Sequence, residues 1–64
     1  MIDFEVRDEG SLVMFNACSD AAKDWWREHV QAAPSLGVWK AVEHRYADAI
    51  LAGIVDEGMT IEGY

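Results

Sequence analysis

The sequence predicts an α+β fold: a two-layer sandwich of order ββαβαβ, with a small, mainly antiparallel sheet and both helices on one face. Three observations predict it. Residues Ile2–Arg7 alternate Ile2, Phe4 and Val6 with Asp3, Glu5 and Arg7, which is the period-two pattern of a half-buried strand. Two later segments repeat apolar residues at helical spacing instead. Between them, glycines and one proline cut the chain into short elements, with no linker, repeat or low-complexity stretch. At 64 residues the chain makes a single domain, residues 1–64.

Asp8-Glu9-Gly10 follows the first strand, and Gly10 can take the left-handed conformation that closes a three-residue hairpin loop. Leu12–Asn16 then returns antiparallel, with Val6 opposite Leu12, Glu5 opposite Val13, Phe4 opposite Met14 and Asp3 opposite Phe15. Ser19 offers its hydroxyl to the first N–H groups of a helix that begins at Asp20, whose charge complements the helix dipole. The helix runs to Gln31 or Ala33 with the stripe Ala22, Trp25, Trp26, His29 and Val30, and Pro34 stops it. Leu36–Val42, rich in valine and tryptophan, reads as the third strand. A second helix begins at Glu43 or His44 and turns Ala47, Ile50, Leu51 and Ile54 inward, with Tyr46 and Val55 at its margins. Gly58 supplies its left-handed C-cap. Gly53, inside that helix, costs about 1 kcal/mol relative to alanine, and close packing against a neighbour such as a tryptophan ring explains it. Met59–Glu62 alternates again as a short edge strand.

Two layers leave one sheet face open, and in this register it carries Asp3, Glu5, Arg7, Ser11, Val13, Phe15, Thr60 and Glu62. An aromatic ring among charges on a solvated face suits Phe15 to anchor an interface. Trp39 can face either way. Five lysines and arginines against twelve acids give a net charge of −7, with 52% hydrophobic residues, so the chain folds and folds acidic. A pI near 4.4 argues against direct nucleic-acid binding and for a basic protein surface as partner. One cysteine, Cys18, fits a reducing compartment, and Asp3, Glu5, Asp8 and Glu9 oppose the basic start of a secretory signal. With no apolar run long enough for a membrane span, a cytoplasmic location is expected.

Catalysis needs a nucleophile, a base and an orienting group around one cleft. Cys18 precedes a helix start, where a thiolate is favoured, but His29 and His44 lie on different helices and a lone cysteine is usually a small buried hydrophobe. Cys18, His29 and His44 have no metal-ligand spacing, and the scattered glycines make no phosphate loop, so no enzyme, metal or cofactor is expected.

The acids form rows. Asp20, Asp24 and Glu28 make one ridge along the first helix, with carboxylates about 6 Å apart, and Asp3 and Glu5 share a strand face about 6.6 Å apart. Lys23 and Arg27 lie one residue off the ridge and shield it in part. A duplex strand has a phosphate every ~3.4 Å of axis, so such a ridge is a sparse copy of that field. The plain alternative is that these acids keep a small protein soluble.

Val42-Glu43-His44-Arg45-Tyr46, followed by Ile50, Gly53, Gly58-Met59 and Ile61, resembles the C-terminal half of small uncharacterised α+β proteins of bacteria and their phages, over about a third of the chain. In size, acidity and element order the whole also resembles the small phage-encoded anti-CRISPR proteins, in particular acidic inhibitors of type I surveillance complexes. That resemblance implies a non-enzymatic inhibitor in the host bacterial cytoplasm. It would occupy a lysine- and arginine-lined DNA site on a Cas surveillance-complex subunit, offering carboxylates in place of phosphates. The charge geometry assigns the contact to Asp3, Glu5, Asp20, Asp24, Glu28 and Phe15. The other readings are a generic acidic interaction domain, monomeric or weakly homodimeric through Val13 and Phe15, and a small enzyme or metal module around Cys18 and His29.

Overall fold

A computed structural model describes residues 2–30 and 35–64. Strands β1 (Phe4–Asp8) and β2 (Leu12–Ala17) are followed by helix α1 (Asp20–His29), strands β3 (Ser35–Leu36) and β4 (Trp39–Glu43), helix α2 (His44–Asp56) and strand β5 (Ile61–Glu62). The fold is the expected α+β sandwich of order ββαβαβ, with a two-residue strand, β3, added before the third main strand. The sheet order is β3-β4-β2-β1-β5. All neighbours are antiparallel except β1 and β5, which run parallel. The expected continuous strand Leu36–Val42 is therefore a hairpin, broken at the Gly37–Val38 turn.

The first hairpin corrects the expected register. Phe4 faces Ala17, Val6 faces Phe15 and Asp8 faces Val13, three residues away from the pairing of Val6 with Leu12. The turn is tighter than the three-residue reading: the Glu9 N–H donates to the Leu12 carbonyl at 2.8 Å, leaving Gly10 and Ser11 as a two-residue loop. Gly10 takes φ +88° at its first position, the requirement of a primed turn. Asp8 reinforces it by accepting from the Gly10 N–H at 3.0 Å. An odd shift exchanges the two faces of β2. Val13 and Phe15 are thus fully buried beside Phe4 and Val6, and the expectation that Phe15 anchors an open-face interface is overturned.

The core lies between this face and the helices: Phe4, Val6, Val13, Phe15 and Val42 from the sheet, Ala22 and Trp26 from α1, Ala47 and Ile54 from α2. The expected stripe of α2 holds, with Ile50 and Leu51 at the margin, and that of α1 holds for Ala22, Trp25, Trp26 and Val30, whereas His29 is exposed and lies outside the core. Ser19 caps α1 by accepting from the Ala22 N–H at 3.0 Å. That helix ends at His29, with Val30 already extended, short of the predicted Gln31 or Ala33. Residues 31–34, with Pro34 and its stop signal, lie outside the described residues. The His29 Nδ1 sits 2.9 Å from the Trp25 carbonyl, where its N–H form donates to a last-turn acceptor. A Cβ on Gly53 would come within 3.0 Å of the Trp25 ring, which explains the glycine inside α2. Gly58, at φ +76°, ends α2 in a Schellman pattern: its N–H donates to Val55 and the Met59 N–H to Ile54. Among the described residues, no helix is long and apolar enough to cross a membrane.

Candidate functional site

Two surfaces emerge from this architecture. The first is the solvent side of α1. Burial of Ala22 and Trp26 turns the opposite side of the helix, with Asp20, Asp24 and Glu28, outward. All three carboxylates are exposed, in one row. Asp24 pairs with Arg27 at 3.2 Å, with both side chains about 70% exposed, and such a surface pair holds only weakly against solvent and salt. Asp20 and Glu28 have no side-chain partner among the described residues. The same holds for Glu9, Asp48, Asp56, Glu57 and Glu62, each of them exposed.

Asp3 and Glu5 do not extend that ridge. Asp3 is built into the fold: it accepts from the Ser19 hydroxyl at 2.6 Å and from the Thr60 N–H at 2.9 Å, and so ties the start of α1 to the approach to β5. The Ser19 hydroxyl first, and the Thr60 N–H after it, hold the Asp3 carboxyl below its usual value of 3.8. Glu5 accepts from the Asn16 side-chain amide at 3.1 Å across the β1–β2 pair. Spacing along one strand could not show these ties, because both acceptors meet donors brought in by tertiary pairing.

The second surface is the sheet face that the helices leave open. Register and alternation place Glu5, Arg7, Leu12, Met14, Asn16, Trp39 and Ala41 there. The Arg7 guanidinium stacks over the Trp39 ring at 4.9 Å, spanning the strand between them. Leu12, Met14 and Trp39 are each partly exposed. An aromatic does sit among charges on the open face, but it is Trp39 and not Phe15. Parity along the Trp39–Glu43 strand could have shown this once Val42 was assigned to the core.

Cys18, His29 and His44 are not brought together. The exposed Cys18 thiol donates to the Asn16 carbonyl at 3.5 Å, His29 stacks on Trp25 with centroids 4.6 Å apart, and His44 Nε2 lies 2.9 Å from Asp8. The partner of His44 is thus Asp8, while Glu43 pairs with Arg45 at 3.5 Å. His44 and the Gly10 N–H lower the Asp8 pKa. Among the described residues, no group of three or more histidine, cysteine or acidic side chains could hold a metal. Comparison with protein-family models, with curated proteins and with solved structures finds no match to the chain.

Proposed function

We propose that the chain is a non-enzymatic binding protein that docks its acidic exterior into a lysine- and arginine-lined site on a partner protein, in place of a nucleic-acid backbone. The observation that carries this reading is the exposed row Asp20, Asp24 and Glu28 on a helix anchored by Trp26. A row on a rigid element needs little ordering on binding, so its charge is spent on attraction and orientation. The other exposed carboxylates and the net charge of −7 add a long-range field that speeds encounter with a cationic site. The resemblance to acidic anti-CRISPR proteins makes the DNA site of a type I surveillance complex the first partner to test.

The test is binding of an isolated surveillance complex by the unmodified chain and by an Asp24→Lys/Glu28→Lys variant, across a salt series and with target DNA as competitor. Asp20 is left intact because it supports the start of α1. The expected result is binding that weakens steeply with salt, competes with DNA and is lost in the variant, whose melting temperature stays close to that of the parent. Binding unchanged by charge reversal overturns the reading.

A second reading rests on the open face. Leu12, Met14 and Trp39 form an apolar strip beside Arg7 on which two copies could pair. It replaces the pairing through Val13 and Phe15, which are buried. Light scattering at roughly tens of micromolar protein tests it: a dimer that Met14→Asp dissociates supports this reading, and a monomer removes it.

A further inference from the structure

A concavity of about 600 Å³ opens between α1 and β4 on the helix side of the sheet. The buried Trp26, the half-buried Val30 and the exposed Val38 supply its apolar lining. Of the five lysines and arginines in this acidic chain, three (Lys23, Arg27 and Lys40) line it. Their convergence follows from the fold. Lys23, Trp26, Arg27 and Val30 recur at i, i+3, i+4 and i+7 and share one flank of α1. Lys40 pairs in register with the fully buried Phe15, so it points to the helix side of the sheet, where an apolar residue would ordinarily extend the core. Lys23 and Arg27, one helical turn apart, repel each other weakly, and an anion seated beside them would relieve that.

We propose that this concavity binds a small amphipathic carboxylate, its apolar body against Trp26, Val30 and Val38 and its carboxylate held by Lys23, Arg27 and Lys40. The volume falls within the range of small-molecule sites, and an apolar lining with a few convergent polar groups is their usual chemistry. Arg27 can turn to such a ligand because its exposed pairing with Asp24 is weak. The site is distinct from the acidic row: the two occupy different flanks of the same helix.

The experiment is a titration of isotope-labelled protein, followed by amide chemical shifts, with phenylacetate, octanoate and the uncharged phenylacetamide. The expected result is saturable shifts at Lys23, Arg27, Val38 and Lys40 with at least one carboxylate, and binding of the amide weaker by about tenfold or more. The two carboxylates show whether the apolar body is aromatic or aliphatic. Lys23→Gln/Arg27→Gln, at two exposed positions, should cost the carboxylate a similar factor and leave phenylacetamide unaffected. Equal binding of acid and amide, shifts spread evenly over all cationic residues including Arg7 and Arg45, or no saturation by either carboxylate would overturn the proposal.

Discussion

On the helix-covered face of the sheet, Phe4, Val6, Val13 and Phe15 are fully buried, whereas Leu12 and Met14, alternating with them along the same β2 strand, remain partly exposed. Over Leu12–Phe15 the residues on the two faces of β2 are equally apolar. What separates them is cover: α1 and α2 lie over one face, while on the other Arg7 stacks over Trp39 without a second layer among the described residues. Apolar content therefore does not assign a side of this sheet. The turn does, because a two-residue loop at Gly10-Ser11 and a three-residue loop before it present opposite faces of β2 to the helices.

The largest effect that sharpens this contrast is on stability. Phe15→Ala should cost about 3–5 kcal/mol in urea unfolding, enough to unfold much of so small a domain, while Met14→Ala on the opposite face should cost under about 1 kcal/mol. Equal losses, or a reversed order, would break the register itself. Next comes the layer that provides the cover. Gly53→Val forces a branched side chain against Trp25, whose ring already lies 3.0 Å from the nearest Cβ position, and should cost about 1–3 kcal/mol. Trp25→Ala in that background should return part of the loss, read as a double-mutant cycle.

Acid should act at the rim and not in the core, since the core holds no buried polar or charged residue among the described ones. Asp3 and Asp8 have pKa values lowered in the fold. The stability they contribute is therefore present above the unfolded value of 3.8 and is lost as pH falls below it. The melting temperature should drop across that acidic range, and Asp3→Asn should flatten part of the drop while lowering the plateau at neutral pH. The smallest effect concerns the open face: a cycle between Arg7→Gln and Trp39→Ala should give a coupling of about 0.5–1 kcal/mol. No coupling would mean that the ring and the guanidinium are not held together in solution.

Much of the fold was legible because its signals are local. Ser19 before Asp20, the two helical stripes, Gly58 after Asp56 and the bulk that Gly53 avoids all act within a turn or across one packed pair. The hairpin was not, for a specific reason. Leu12-Val13-Met14-Phe15 is apolar at every position, so alternation has nothing to choose between. Only the loop could choose, and Gly10 satisfies a left-handed requirement in either reading. The candidate sites divide the same way. The ridge Asp20, Asp24 and Glu28 follows from helical spacing, whereas the capture of Asp3 by Ser19 and Thr60 joins residues far apart in sequence. Lys23 and Arg27 are visible as a pair, but their convergence with Lys40 depends on the β2–β4 register.

Asp3 also bears on how the chain comes to be folded. Its bonds to Thr60, with the parallel contact of β1 and β5, join positions 57 apart, so this edge of the sheet carries a large loop-closure cost. During synthesis the hairpin and α1 emerge together and can assemble early, yet β1 keeps a bare edge until Ile61 and Glu62 have left the ribosome. A nascent chain paused before that point offers an unsatisfied strand to any neighbour. Its propensity to aggregate should therefore fall once Ile61 and Glu62 pair with β1.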